Sequence, residues 1–355
     1  MPSPPQIRQQ SWQEAMNDMN TLILSDSDSD LRRAAEILKN GGLCAMPTET
    51  VYGLAGNALD SGAAAKIYAA KGRPSDNPLI VHISELSRIH DLVTAFPDTA
   101  EKIFKAFSPG PVTVILPRSH KIPDATSGGL DTVGIRLPAD KRARKLISLC
   151  GFPLAAPSAN LSGSPSPTSA EHCIRDLMGR VDCIIDGGKC AVGVESTVLS
   201  VDRDGDVTVL RPGFVTYNDL ASLLGEEHVR LARGITERVD EGEKVLSPGM
   251  KYRHYAPDAD IAIIDGSREQ FECFVNSRRD EGAFALIFGD ENVQLPAVKM
   301  GLTSEEQAHL LFDVLRHLDD IGAKRVYARC PRKTGVGLAV YNRLLRAAGF
   351  EVIKL

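Results

Sequence analysis

Residues 71–83 read KGRPSDNPLIVHI, in which a helical run ends, a polar turn follows and an apolar strand begins. The preceding segment, DSGAAAKIYAA at residues 60–70, is rich in alanine and predicts a helix that ends next to Lys71. The continuous apolar run PLIVHI is typical of a strand in the middle of a sheet. The cations of the turn suit either a helix C-terminus, where they complement the helix dipole, or a loop that binds an anion.

The same mixture of short strands and helices extends over residues 25–220, which predicts one α/β domain with a large, twisted, open mixed sheet. From residue 260 strands and helices alternate regularly, and this predicts a small Rossmann-like domain over 260–355. That domain has no GxGxxG sequence, so a dinucleotide site in it is unsupported. Residues 1–24 are a polar extension, and residues 221–259 are expected to be a charged linker rather than a packed element.

Composition narrows the class of protein. Among 355 residues, 43% are hydrophobic and 25% are charged, as in ordinary soluble globular proteins. The net charge of −5 argues against a general nucleic-acid coat protein, although a local basic groove is compatible with it. Seven cysteines without CxxC spacing favour a reduced, intracellular setting. The histidines form no HxxxH pair, and no apolar run is long enough to cross a bilayer, so neither a zinc site nor a membrane span is predicted.

The candidate chemistry lies in short polar turns at strand ends. No P-loop and no GxSxG elbow occur. The turns instead supply cations and hydroxyl or amide groups, while Glu49 and Glu195 are their main carboxylates. Such a balance suits a polyanion such as a nucleoside triphosphate, and it does not suit a glycosidase with two carboxylates.

Seven of these stretches, in this order along the chain, resemble the YrdC-type domain of the threonylcarbamoyl-AMP synthases. They are PTETVYGL (47–54), KGRPSDNPL (71–79), SPGPVTVIL (108–116), GIRLP (134–138), PSANLSG (157–163), ESTV (195–198) and LRPG (210–213). The segment SPGMKYRHYAP (247–257) and the C-terminal α/β domain resemble the long, two-domain form of that family. Only about the first 20 residues lie outside the resemblance.

The resemblance implies a YrdC-like fold with a concave basic groove and an enzyme that uses ATP, L-threonine and bicarbonate. It implies release of pyrophosphate and formation of L-threonylcarbamoyl-adenylate, whose threonylcarbamoyl group a partner transferase passes to adenosine 37 of tRNA. Mg²⁺ is expected on the triphosphate. The implied setting is the cytoplasm.

The resemblance also assigns residues. The threonine pocket would comprise Thr50, His82, Arg136, Ala156 (through its backbone) and Thr197, with Arg136 pairing with the substrate carboxylate. The ATP site would comprise Arg73, Asn77, Thr132, Ser158, Ser166, Arg211 and Tyr255. Lys71 and Arg73 are the predicted catalytic cations, and no metal ligands are predicted. The segment that carries Tyr255 would close over the nucleotide as a lid.

Several alternatives stay open. Thr132 and Ser166 are turn caps in the competing interpretation, and either Tyr252 or Tyr255 closes the lid. Glu49 and Glu195 either orient Mg²⁺ or the substrate amine, or are simply solvated. The cations of RKTGVGLAVYNRL (332–344) either touch a ligand or RNA or belong to an ordinary helix N-terminus, and the second interpretation is favoured.

Two other classes of function compete with the enzyme. An RNA-binding module would take tRNA or double-stranded RNA directly in the groove. The net charge of −5 and the lack of interleaved aromatic and basic residues disfavour it. A nucleotide-sensing regulator would bind ATP without turning it over.

Overall fold

The computed structural model describes residues 20–237, 255–278 and 282–355. The chain divides into two compact units. The first comprises residues up to Ser162 and then Pro167–Cys190, and the second comprises Gly163–Ser166 and Ala191–Leu355. The domain boundaries predicted from the sequence stay a prediction.

The first unit is built on a mixed sheet. Its strands are β1 (Leu22–Ser25), β2 (Cys44–Met46), β3 (Gly53–Asn57), β4 (Ile80–His82), β5 (Val112–Pro117), β6 (Thr132–Arg136), β7 (Leu154–Ala155) and β8 (Cys183–Asp186). They lie in the order β1-β8-β2-β3-β7-β4-β6-β5. The sheet contains both parallel pairs, such as β4 with β6, and antiparallel pairs, such as β5 with β6. The predicted mixed α/β sheet is therefore confirmed.

Helices of the first unit contribute apolar faces to its core, and several begin at side-chain caps. They are α1 (Asp28–Lys39), α2 (Ser61–Lys71), α3 (Ile89–Leu92), α4 (Asp98–Phe107), α5 (Asp124–Ser127), α6 (Lys141–Cys150) and α7 (Ala170–Leu177). Asp60 and Asp140 accept hydrogen bonds from backbone N–H groups in the first turns of α2 and α6. Helices α1 and α6 pack together, and their apolar faces form one core cluster with β2 and β8.

The end of α2 positions the loop that follows it. Gly72 adopts the left-handed conformation, with φ of 62°, which a residue with a side chain adopts at a cost. The N–H of Arg73 then donates to the carbonyl oxygen of Tyr68 at 2.9 Å. The chain thereby leaves the helix sharply and reaches β4 after a short turn, as the glycine and prolines predict.

The second unit contains two groups of strands. The first group is β9 (Thr197–Val201), β10 (Val207–Arg211) and β11 (Val229–Leu231), and the second is β12 (Asp260–Asp265), β13 (Ala283–Ile287), β14 (Ala297–Lys299), β15 (Arg325–Arg329) and β16 (Val352–Lys354). The helices are α8 (Tyr217–Leu224), α9 (Arg268–Asn276), α10 (Ser304–Asp320) and α11 (Gly335–Ala347). The second group forms a parallel sheet in the order β14-β13-β15-β12-β16. This confirms the predicted Rossmann-like fold.

The prediction that residues 221–259 form a linker rather than a packed element is wrong in part. Strand β11 pairs in parallel with β10, and Val229 and Ile235 are buried. Two apolar residues in a charged stretch give no periodic pattern, so only backbone pairing reveals the strand. Residues 238–254 lie outside the described residues.

The structure also bears on the sequence-based expectations for membrane spans, metal sites and cysteines. Across the described ranges, no helix is both long enough and apolar enough to span a membrane. In the same ranges, no group of three or more His, Cys, Asp or Glu side chains is arranged to hold a metal ion. All seven cysteines fall within these ranges and are free thiols.

Candidate active site

In the first unit, a buried arginine contacts two residues of the PTET stretch. Arg136 ends β6, and its Nη2 donates to Oε1 of Glu49 at 2.7 Å and to Oγ1 of Thr50 at 2.9 Å. The residue is only 4% exposed, and its buried Nε has no hydrogen-bond partner among the described residues. Because a buried guanidinium donor without a partner is costly, this donor is available to an acceptor on a bound molecule. Glu49 is paired and nearly buried, so the solvated alternative for it is wrong.

His82 lies beside this arginine. The two residues are register partners in the parallel pair of β4 and β6. Burial, together with the positive charge of Arg136, lowers the pKa of His82 to about 3. The imidazole is therefore neutral near pH 7, and its Nδ1 lies 3.2 Å from the carbonyl oxygen of Ile80. The neutral imidazole places polar ring nitrogens beside Arg136 without adding a second positive charge.

Ala156 completes a group of four predicted pocket residues. It follows β7, and its N–H donates to the carbonyl oxygen of Ile80 at 2.9 Å, between β4 and β7. Thr50, His82, Arg136 and Ala156 are thus brought together by the ends of β4, β6 and β7 and the turn after β2. The fifth predicted member, Thr197, belongs to the second unit.

Lys71 is buried at the end of α2. Its Nζ donates to the backbone carbonyl oxygens of Ser158 and Asn160, at 2.5 Å each. Burial lowers the pKa of Lys71 well below its usual value, and the charge of nearby Arg73 adds to this effect. The hydrogen bonds of the Lys71 amino group attach the PSAN turn to α2. The predicted catalytic role of Lys71 stays a prediction.

Arg73 is bound largely to its own turn. Its Nε donates to the carbonyl oxygen of Asn77 at 3.3 Å, and its Nη2 donates to that of Pro78 at 3.2 Å. The side chain of Asn77 is buried, and its Oδ1 has no hydrogen-bond partner in the part of the chain that the structure describes. The turn thus combines a guanidinium group that holds the backbone with an amide oxygen that is available to a ligand.

The remaining predicted nucleotide residues of the first unit lie on the same sheet. Thr132 is the first residue of β6, and Ser158 forms an isolated antiparallel bridge with Gly53. Both are half-buried. Neither begins a helix, and their assignment to ATP stays a prediction.

A second buried network lies in the second unit. The hydroxyl of Ser166 donates to Oε1 of Glu195 at 2.7 Å, and Nε of Arg343 donates to Oε2 of the same carboxylate at 3.0 Å. Burial alone would raise the pKa of Glu195, but the charges of Arg343 and Arg211 outweigh it and lower the pKa. The carboxylate is therefore ionised and paired, so the solvated alternative for Glu195 is wrong.

Sequence reasoning did not single out Arg343 among the cations of residues 332–344. It lies on α11 within an apolar helix and is fully buried, and its Nη2 has no hydrogen-bond partner within the described ranges. The available signal was an arginine next to two leucines, three residues before Arg346, which is also typical of a solvated helix position. Only its pairing with Glu195, 148 residues earlier in the chain, reveals its importance.

The ESTV and LRPG stretches are locked together. Nε and Nη2 of Arg211 donate to the carbonyl oxygen of Ser196 at 3.1 and 3.0 Å, and the hydroxyl of Thr197 donates to that of Val215 at 2.6 Å. A Cβ on Gly213 would lie 2.4 Å from the backbone nitrogen of Thr197, so this close approach requires glycine. The approach explains why RPG follows strand β10.

Tyr255 is the first described residue after the gap at 238–254. Its side chain is buried, and its ring centroid lies 5.3 Å from that of Phe312. Burial raises the pKa of Tyr255. Tyr252 lies outside the described residues, so the choice between the two tyrosines as the lid residue stays open.

Two family models match the chain in succession. The model for the Sua5, YciO and YrdC proteins, described as telomere recombination, matches residues 36–213. The model described as the threonylcarbamoyl-AMP synthase C-terminal domain matches residues 215–349. A threonylcarbamoyl-AMP synthase from Pyrococcus abyssi is 43% identical over 92% of this chain and 96% of its own length. The chain belongs to the threonylcarbamoyl-AMP synthase family.

Further comparisons agree with this assignment. A family member from Bacillus subtilis is 44% identical over 93% of this chain and 96% of its own length. The crystal structure of Pyrococcus abyssi Sua5 complexed with L-threonine superposes with a TM-score of 0.88 at 41% identity, covering 94% of this chain and all of that one (100%). The family expected from the sequence motifs is therefore confirmed.

Proposed function

We propose that the buried Arg136 cluster binds L-threonine in the synthesis of L-threonylcarbamoyl-AMP. The activity itself follows from the family: the chain makes this adenylate with release of pyrophosphate, for the threonylcarbamoyladenosine modification of tRNA. The observation that carries the threonine assignment is the unpartnered, buried Nε of Arg136 within the described residues.

The chemistry of the cluster matches an amino acid. Arginine binds a carboxylate through two neighbouring N–H groups, and Nε is one of the groups used for this. The hydroxyl of Thr50 already accepts a hydrogen bond from Arg136, so it lies where it can orient the substrate. The Pyrococcus abyssi relative was crystallised as a complex with L-threonine, which supports the same ligand here.

The reaction asks little covalent work of the protein. The threonine amine adds to carbon dioxide derived from bicarbonate and loses a proton, giving a carbamate. A carbamate oxygen then forms a bond to the α-phosphorus of ATP while the bond to the bridging oxygen breaks, and pyrophosphate leaves. Positioning and charge stabilisation supply the acceleration, as in other nucleotidyl transfers. The scheme requires neither a nucleophilic side chain nor a catalytic triad of the protein.

We assign the nucleotide to the residues predicted for it. They are Lys71, Arg73, Asn77, Thr132, Ser158, Ser166, Arg211 and Tyr255. The buried, unpartnered Oδ1 of Asn77 among the described residues supports a hydrogen bond to a ligand donor. Mg²⁺ would enter on the triphosphate of ATP, since Glu49 and Glu195 are already paired with arginines. The later partners in the proposal are a threonylcarbamoyl transferase and tRNA, in the cytoplasm.

One experiment tests the threonine assignment. The full-length chain is incubated with ATP, Mg²⁺, L-threonine and labelled bicarbonate, and adenylate formation is measured while the threonine concentration is varied. For Arg136→Lys we expect the KM for threonine to rise by about a hundredfold while the KM for ATP stays within about twofold, because lysine keeps the charge but loses the fork. Arg33→Lys, at an exposed position on α1, is the matched control. An unchanged KM for threonine in Arg136→Lys would falsify the assignment.

A further inference from the structure

The parallel sheet of the second unit carries a cleft that the proposed activity does not use. Its volume is about 930 Å³, within the size range of small-molecule sites. The lining includes Asp265 at the end of β12, Phe288 after β13 and Arg329 at the end of β15. All three lie at the carboxyl ends of parallel strands, which is the edge where open α/β sheets bind ligands.

The topology places a switch point in this cleft. Strands β12 and β15 are neighbours in the order β14-β13-β15-β12-β16. After β12 the chain crosses to β13, beyond β15, and after β15 it crosses to β16, beyond β12. Connections that leave neighbouring strands in opposite directions open a crevice between them.

One end of the cleft favours a phosphate group. Helix α11 begins at Gly335, and in the described structure its N-cap, Thr334, makes no side-chain hydrogen bond to the first turn. By contrast, Ser267 and Thr303 close complete capping boxes at α9 and α10. Arg332 lines the cleft, is exposed and has no partner among the described residues. Open N–H groups and a nearby arginine together match a phosphate.

A second, independent feature requires a hydrogen-bond donor on the ligand. Gln307, on α10, lines the cleft and is only 3% exposed. Its Nε2 donates to the carbonyl oxygen of Gly301 at 3.1 Å, so the orientation of the amide is fixed. Its buried Oε1 has no partner in the ranges that the structure describes. An anion that carries no proton could not satisfy this acceptor, whereas a hydroxyl or amino group could.

Apolar groups line the same cleft. Phe288 lies under the guanidinium of Arg329, whose carbon is 4.9 Å from the ring centroid. Leu302 is 71% exposed, which is high for a leucine beside a concave surface. Exposed apolar surface in a cleft with polar groups is typical of a site for a ligand with an organic body.

We propose that this cleft binds a nucleoside mono- or diphosphate. The phosphate lies at the N-terminus of α11 beside Arg332, the base lies against Phe288 and Leu302, and a hydroxyl or amino group donates to Gln307. All of these contacts come from the second unit, so the site stands apart from the assignment of threonine to Arg136.

Hydrogen exchange with mass spectrometry on the full chain tests the proposal, because it reports which segment is protected. We expect millimolar ADP to slow exchange of the backbone amides of residues 332–338. Arg332→Glu is expected to need at least about tenfold more ADP for the same protection, because it replaces an attractive charge with a repulsive one. The matched control is Lys324→Glu, which makes the same charge change at an exposed residue next to the amino end of β15. No protection of this segment, or equal protection in Arg332→Glu, overturns the proposal.

Inorganic pyrophosphate and Gln307→Leu test the organic part of the ligand. We expect pyrophosphate to protect the segment at least about tenfold more weakly than ADP, since it lacks the base and the donor for Gln307. Gln307→Leu should raise about tenfold the ADP concentration needed for protection, and it should leave the protection by pyrophosphate unchanged. Equal protection by pyrophosphate, or an unchanged ADP response in Gln307→Leu, overturns the assignment to a nucleotide. Adenylate formation is measured separately, so failure here and failure at Arg136 are distinguishable.

Discussion

Two basic loops of this chain look alike in sequence and differ in what their cations do. KGRPSDNP, at residues 71–78, begins at the last residue of helix α2, and PRKTGVG, at residues 331–337, runs into the first turn of helix α11. In the first loop, Lys71 and Arg73 donate to backbone carbonyl oxygens of their own unit. In the second, Arg332 is exposed at a cleft and has no partner among the described residues. A basic loop with glycine and proline therefore predicts neither a structural nor a ligand-binding role.

The difference follows from the partners that the fold brings to each loop. Lys71 donates to carbonyl oxygens of the PSAN turn, and Arg73 donates to carbonyl oxygens of its own loop, so neither is bound to the end of α2. In the second loop Lys333 pairs with Asp265, at 2.7 Å between Nζ and Oδ2, whereas Arg332 has no partner among the described residues. The N–H groups at the start of α11 offer that guanidinium no acceptor.

The largest effect is expected when the buried amino group of Lys71 is removed. Lys71→Met is expected to lower the free energy of unfolding by about 3 kcal/mol, because the carbonyl oxygens of Ser158 and Asn160 lose their donor. Urea denaturation measures this loss. Lys39→Met, at an exposed position of α1, should change stability by less than about 0.5 kcal/mol. A Lys71→Met protein as stable as this control would show that the first loop is not held by its cations.

A smaller effect is expected from pH, because the strand after the first loop carries the buried His82. Its pKa is lowered from 6.5 to about 3 in the folded chain, so as the pH falls below about 6.5 the unfolded chain binds a proton that the folded chain does not. Between about pH 7.5 and pH 5.5 this costs about 1.4 kcal/mol of stability, and His82→Gln removes that part of the loss.

Denaturation midpoints at both pH values, for the original chain and for His82→Gln, measure the difference. His120→Gln changes an exposed histidine and should keep the whole loss. If the original chain and His82→Gln lose equal stability on acidification, His82 does not lie in the environment described.

The smallest effect is expected at the second loop. Arg332→Met should alter the free energy of unfolding by no more than about 0.5 kcal/mol, because the exposed guanidinium has no partner in the described part of the chain. The same urea denaturation measures it. A loss comparable with that of Lys71→Met would show that both loops use their cations structurally, and the contrast between them would disappear.

Much of the fold could be predicted from local sequence. The helix predicted over residues 60–70 forms as α2 (Ser61–Lys71), and the strand predicted in PLIVHI forms as β4 (Ile80–His82). Strands β1, β11, β14 and β16 were missed, because each has only three or four residues and exists through pairing with a neighbour. Such short strands have too few side chains for a periodic signal. The polar extension predicted over residues 1–24 is wrong at its end, since Leu22–Ser25 pairs in parallel with β8 and Leu24 is buried.

The candidate site likewise has features that local sequence predicts and features that only the tertiary structure reveals. The motif series identified the family and the residue types of the pocket, because each turn motif is a local stretch of chain. Pairings such as that of Arg343 with Glu195 could not be predicted, since they join residues distant in sequence.

The sequence by itself therefore determined the helices, the principal strands and the family, because caps, turns and apolar periodicity act over a few residues. Only the tertiary structure decided which cations are already satisfied. Lys71 finds its carbonyl partners 87 and 89 residues away, a separation that no local pattern reports. Arg332 finds none in the described structure, whereas its neighbour Lys333 reaches Asp265 at the end of β12, so the outcome depends on which acceptor the fold brings within reach.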